Sequence, residues 1–131
     1  MSQWQELDIE TKITSILRDI PDAASEHHLG RPFLTAYQIA IEFARLYPED
    51  FARLDYPIGG VGVGQRTSLA QYIARELSRR IKNKEITHIE GGFLSNQHLH
   101  DINFEVDGQE ELIHSSLTNT NFTLSLFRLN G

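Results

Sequence analysis

Six basic residues lie close together between Arg66 and Lys84, a stretch with a single acidic residue, Glu76. This stretch has a net charge of +5, whereas the rest of the chain, with 6 basic and 17 acidic residues, has a net charge of −11. The whole chain of 131 residues carries −6. Charge segregated in this way predicts a surface with a positive and a negative pole, and the total argues against a generic binder of polyanions.

A helix from Ser68 to Lys82 would sort these side chains onto two sides. At 100° per residue, Leu69, Ile73, Leu77 and Ile81 form an apolar stripe. Arg80 falls over that stripe, where its stem can pack while the guanidinium reaches water. The opposite, exposed side holds Gln71, Tyr72, Arg75, Ser78, Arg79 and Lys82. Arginine and glutamine are able to bond base edges, and lysine and serine more often hold phosphates.

The segment before this helix, GGVGVG at residues 59–64, is rich in glycine and leads to Arg66 and the helix start. Free amides at a helix N-terminus attract anions, so a phosphate cradle is one interpretation. The Walker pattern, however, requires Lys and Ser or Thr directly after its last glycine, where this chain has Gln65 and Arg66. A dinucleotide fingerprint requires a preceding buried strand, which RLDYPI is too short and polar to form. We therefore interpret the segment as a flexible connector that exposes the start of a basic helix. Ordering of this connector when a partner binds is a further hypothesis.

Histidines offer a second kind of chemistry. His98 and His100 would share a face of a strand, with Asp101 beside them, so a zinc site is conceivable there. No HExxH spacing and no GxSxG elbow occur, and surface histidines are the simpler interpretation. We expect no catalytic residue, no metal and no cofactor, although an active site assembled in space leaves no such trace in a sequence.

Apolar spacing predicts three helices. The first carries Ile9, Ile13, Ile16, Leu17 and Ile20 on one face and ends at Pro21. The second begins near Thr35, where Gln38 completes a capping box, and buries Ile39, Ala40, Phe43, Ala44 and Tyr47. The third, residues 68–82, repeats the capping box with Ser68 and Gln71.

From Glu85 onward, short branched and aromatic runs predict strands. These runs are ITHIE, DINFEV, ELIHSSL and FTLSLFRL. The segment GGFLSNQHLH would connect the first two of them. We therefore expect one α+β domain over residues 1–131, with a helical part followed by a small antiparallel sheet. Trp4, Phe33 and Phe93 are interpreted as packing residues, and exposure of Trp4 or Phe93 would suggest an oligomer contact.

Three helices followed by a strand, a long loop and another strand resemble the winged helix-turn-helix family over about residues 5–106. The resemblance implies that residues 35–47 form the supporting helix, residues 68–82 the recognition helix and residues 91–100 the wing. It also implies duplex DNA as the partner, with Gln71 and Arg75 at bases. The phosphate contacts would come from Arg66, Ser78, Arg79 and Lys82. Such domains often act as two-fold dimers, so a homodimer is a further expectation.

Three alternatives to DNA binding remain open, two for the basic helix and one for the histidines. The exposed side of the basic helix would also suit an acidic protein partner. Its cations would pair with acids elsewhere in the chain if the side is merely solvated. A small metal-dependent enzyme using His98 and His100 is the third. The chain has no cysteine and no run of about 20 apolar residues, and its first 20 residues lack the features of a signal peptide, so a cytoplasmic protein without membrane contact is expected.

Overall fold

The computed structural model describes residues 2–20, 27–59, 68–95, 97–99, 102–110, 112–114 and 124–130. Helices and strands follow one another in the order α1 (Gln3–Glu6), α2 (Ile9–Arg18), β1 (Leu34–Thr35), α3 (Ala36–Leu46), α4 (Pro48–Leu54), α5 (Leu69–Lys82), β2 (Ile89–Leu94), β3 (Asn103–Phe104), β4 (Ile113–His114) and β5 (Leu124–Leu129). This mixture of helices and antiparallel strands confirms the predicted α+β class.

The apolar stripes of α2, α3 and α5 meet in one core. Each stripe contributes side chains with almost no exposed surface: Ile9, Ile13 and Leu17 from α2, Ile39 and Phe43 from α3, and Leu69, Ile73 and Leu77 from α5. The sheet closes the core with Ile89 of β2 and Phe127 of β5. Burial of such side chains is the main favourable term in folding, and the helical spacing of the apolar residues predicts their positions.

Both predicted capping boxes are present. At α3, the Gln38 amide N–H donates to Thr35 Oγ1 at 3.1 Å, and the Thr35 N–H donates back to Gln38 Oε1 at 2.8 Å. At α5, the Gln71 N–H donates to Ser68 Oγ at 3.1 Å, and the Ser68 N–H donates to Gln71 Oε1 at 3.2 Å. Each box satisfies backbone donors that a helix start leaves free, and so fixes where the helix begins.

The main sheet has the strand order β1–β5–β2, and all its neighbours are antiparallel. The last strand, β5, therefore lies in the middle of the sheet. On one side it pairs with β1, which directly precedes α3, and on the other with β2, which follows α5. Among the strands that the structure describes, β3 and β4 pair with each other alone and form a separate ribbon. Phe104 of this ribbon stacks on Tyr37 of α3, with ring centroids 5.0 Å apart, so the ribbon is attached to the second long helix.

Two sequence-based expectations are wrong in detail. The proposed wing does not begin at Gly91, because Gly91 to Leu94 are part of β2 and pair with β5. Phe93 is 72% exposed, so it is not a core residue, whereas Trp4 is buried as expected.

None of the helices in the described residues combines the length and apolar character that crossing a membrane requires.

Candidate nucleic-acid interface on helix α5

Helix α5 is held on one side by the core and is open on the other. Its inner stripe, led by Ile73 and Leu77, packs on α3, and the strand that follows the helix, β2, joins the sheet. The Ser68 cap is buried, so the helix start is fixed in place as well. A helix anchored in this way presents its remaining side as a rigid surface.

That remaining side consists of five residues that we call the outer face of α5: Gln71, Arg75, Ser78, Arg79 and Lys82. All five are exposed, and at 100° per residue they occupy an arc of about 100°. The structure therefore brings together five of the six residues expected from the sequence. The sixth, Arg66, lies outside the described residues, as does the glycine-rich stretch 60–67.

Tyr72 was expected on the exposed side but lies inward, with 8% of its surface exposed. Its ring packs against Trp4 of α1 at a centroid distance of 6.2 Å and against Tyr56 at 5.3 Å. Burial is the main reason that the pKa of the Tyr72 hydroxyl lies above its ordinary value. The helical wheel predicts Tyr72 on the exposed side, and this is wrong because residues from distant parts of the chain, Trp4 and Tyr56, cover its ring.

Glu76 borders the outer face and binds two arginines. Its Oε2 accepts from Arg79 Nη2 at 2.7 Å, and its Oε1 accepts from Arg80 Nη2 at 3.4 Å. Partial burial alone would raise the pKa of Glu76, but the bonds and charges of these arginines outweigh it and hold that pKa below its ordinary value. Glu76 therefore remains a carboxylate at neutral pH and reduces the positive charge that the outer face presents.

The side chains of the two other cations of the outer face, Arg75 and Lys82, form no hydrogen bond or ion pair within the part of the chain that the structure describes. Gln71 is partly engaged, because its Oε1 accepts the Ser68 N–H in the capping box. Its side-chain nitrogen makes no hydrogen bond to a described residue. The outer face thus offers mainly donors, which suits an acceptor-rich, negatively charged ligand.

The proposed histidine site is only partly described. His98 is exposed and has a φ of 66°, which is not a strand conformation, while His100 and Asp101 lie outside the described residues. Within the described residues, no group of three or more His, Asp or Glu side chains is placed to hold a metal ion.

Arg128 of β5 forms a cluster that the sequence did not indicate. It bonds Glu90, donates through Nη1 to the carbonyls of Leu29 and Arg31 at 2.6 and 3.0 Å, and lies 4.3 Å from the centroid of the Phe33 ring. These contacts tie the segment before β1 to the sheet, beside an open cavity of about 520 Å³. A single arginine in a strand gives no periodic signal, so only the fold shows its role.

The outer face of α5 is therefore the described surface with the clearest chemical character. Comparison of the chain with family models, with curated proteins and with solved structures gives no match.

Proposed function

We propose that this protein is a non-catalytic recognition module that binds duplex DNA by placing helix α5 in the major groove. The observation that carries the proposal is the outer face: Arg75, Arg79 and Lys82 lie on one exposed arc with Gln71 and Ser78, on a helix whose other side is locked into the core. Phosphate contacts supply most of the affinity in such complexes, and arginine and glutamine contacts to base edges supply sequence preference.

The dimensions of α5 support the proposal. An α-helix with its side chains is about 10–12 Å wide, and the major groove of B-DNA is about 12 Å wide. Gln71 and Lys82 are separated by about 16 Å along the axis, at about 1.5 Å per residue. Side chains spread over this length on a narrow arc would reach both the floor and the walls of the groove.

We assign the role of each residue from its side-chain chemistry and from whether it is already held in an ion pair. We assign Gln71 and Arg75 to base edges, because their planar donor groups match acceptors there. Ser78, Arg79, Lys82 and Arg66 are assigned to phosphates. Arg75 and Lys82 would bind without first breaking an ion pair to a described residue, whereas Arg79 would have to leave Glu76.

The order of the elements supports a winged-helix-like arrangement, though with a different wing from the expected one. Helix α5 leads into β2, and β2 pairs with β5, which lies beside β1. In the chain, the ribbon of β3 and β4 lies between β2 and β5, and it would take the place assigned to residues 91–100. The net charge of −6 would repel DNA elsewhere on the molecule, so binding would be narrow and orientation-dependent.

A cytoplasmic location is part of the proposal, since the chain has no cysteine and hence no disulfide for an oxidising compartment to maintain. A two-fold dimer on DNA is a further part of it. Sedimentation with duplexes of one and two half-sites distinguishes one bound copy from two.

Fluorescence anisotropy with a labelled mixed-sequence duplex, between about 50 and about 200 mM salt, tests the proposal. We compare the wild type with Arg75→Gln/Lys82→Gln, and use Arg18→Gln/Arg53→Gln as the control with the same change in charge outside α5. Wild-type affinity should fall steeply with salt. The α5 variant should bind at least about tenfold more weakly. Its log–log salt slope should be smaller by about 0.9, because Lys82 is the one assigned phosphate contact that it loses, whereas Arg75 is assigned to base edges.

The control variant should stay close to the wild type in both affinity and slope. An equal loss in the control, or no wild-type binding at the lowest salt, would contradict the proposal.

A further inference from the structure

Glu76 holds two arginines with very different surroundings. The Arg80 side chain is 13% exposed, whereas the Arg79 side chain is 50% exposed. Both bond the same carboxylate, one through each oxygen. The two arginines therefore differ in how easily each could leave Glu76 for a negatively charged ligand.

Arg80 is fixed from several directions. Its guanidinium lies over the Trp4 ring, with Cζ 5.1 Å from the centroid, and its Nη1 is 3.7 Å from Glu85 Oε2. A cation packed on an aromatic ring and paired with two carboxylates loses several contacts if it moves. Arg80 is therefore the permanent counter-ion of Glu76.

The Arg79 side chain belongs to the outer face, and Glu76 is its only hydrogen-bond and ion-pair partner among the described residues, while Glu85 and Tyr72 act on it only through longer-range charge. Exposed ion pairs of this kind are weak and exchange easily. If Arg79 moves to another anion, Arg80 still neutralises Glu76, so the half-buried carboxylate is not left as an uncompensated charge.

We propose, on the basis of the DNA-binding function proposed above, that Glu76 is a positioning residue that competes with a DNA phosphate for Arg79. In the free protein Glu76 keeps Arg79 folded back along α5 and lowers nonspecific attraction. A phosphate at the correct place takes over Arg79, while Arg80 remains on Glu76. Glu76 thus limits the affinity of the outer face and makes the Arg79 contact conditional on correct docking.

The test compares Glu76→Gln with Glu85→Gln in the same anisotropy assay. Both changes remove one negative charge that acts on Arg79 and Arg80, but only the first removes the carboxylate that accepts a hydrogen bond from Arg79. We expect Glu76→Gln to bind mixed-sequence duplex roughly two- to fivefold more tightly than the wild type, the range of an exposed ion pair, with a salt slope steeper by up to about 0.9. The gain with Glu85→Gln should be smaller and should leave the slope unchanged.

The decisive arm repeats Glu76→Gln in an Arg79→Gln background. The gain should disappear there, because the residue through which Glu76 acts is absent. A gain that persists, or one that Glu85→Gln equals, would overturn the inference and reduce Glu76 to a general charge effect. Loss of binding by every protein, including the wild type, would instead overturn the proposed function.

A second variant and a measurement without DNA guard against a folding defect. Glu76→Asp keeps the charge but shortens the side chain, so it should weaken the Arg79 contact and tighten DNA binding in the same direction. In NMR spectra of the free protein, the Arg79 guanidinium should rotate more freely in Glu76→Gln than in the wild type, while the backbone amide pattern is retained. Unchanged rotation would overturn the inference even if DNA binding were present.

Discussion

Phe127 lies directly against Gly91 in the antiparallel register of β5 and β2. A Cβ atom added at Gly91 would come within 3.3 Å of two ring carbons of Phe127, a side chain with 1% of its surface exposed. The missing side chain therefore lets the strand that follows α5 close over the core. The same pairing of β2 with β5 fixes the direction of the chain where it leaves α5, the helix that carries the outer face.

Substitution of Gly91 should destabilise the protein, and the neighbouring glycine provides the control. Gly91→Val forces atoms into the fully packed Phe127 ring, and such overpacking costs about 1–3 kcal/mol. A Cβ at Gly92 meets no atom within 4 Å, so Gly92→Val should be neutral or slightly stabilising, since valine favours strands. Urea unfolding of the two variants measures the difference. Equal stabilities would contradict this account of the β2–β5 contact.

The Ser68 cap should contribute measurably to stability. Ser68→Ala removes the acceptor of the Gln71 N–H at the start of α5, and loss of an N-cap costs about 1 kcal/mol. Ser78→Ala deletes the same hydroxyl from the exposed side of the same helix and should change stability by less than about 0.5 kcal/mol. Chemical denaturation compares the two. If Ser68→Ala were as benign as Ser78→Ala, the capping box would not be what fixes the helix start.

Acidification should weaken the fold through Glu42 and Glu76. A hydrogen bond from Arg45 is the main reason that the pKa of Glu42 lies below its ordinary value of 4.5, and Arg79 and Arg80 lower the pKa of Glu76 despite its partial burial. The unfolded chain, with ordinary values, binds protons first as the pH falls. Stability from these groups is therefore fully present above pH 4.5 and is lost as the pH falls through the folded-state pKa values.

Urea unfolding at about pH 6 and about pH 3 tests this linkage, with Glu42→Gln/Glu76→Gln as the comparison. The wild type should be more stable than the variant at the higher pH, and the two should converge at the lower pH. A difference that does not change with pH would show that the two carboxylates do not contribute in this way.

The sequence predicts the helical part of the fold well, because the relevant signals are local. Apolar repeats such as Ile73 and Leu77 and the capping boxes at Thr35 and Ser68 each lie within one helix. The α+β class follows from those helices together with the branched runs after Glu85. The sequence does not predict strand β1, because its two residues, which directly precede α3, are too few to show a periodic pattern.

What the sequence does not predict depends on contacts between distant segments. The pairing of β2 with β5 joins residues far apart along the chain, and no local sequence pattern predicts which residues of the two strands lie opposite each other. Tyr72 turns inward because Trp4 of α1 covers it. Helical spacing predicts that Glu76 and Arg79 can pair. The contact of Arg80 with the Trp4 ring cannot be predicted in this way, because it joins residues far apart in the sequence.

The most direct test of the central claim is an NMR titration of the amide-labelled protein with a short mixed-sequence duplex at low salt. If the outer face of α5 binds DNA, the largest shifts should fall on Gln71, Arg75, Ser78, Arg79 and Lys82. The residues of the inner stripe of α5 and Glu42 of α3 should be little affected. Shifts concentrated on another surface, or none at all at the lowest salt, would contradict recognition of DNA by the outer face of α5.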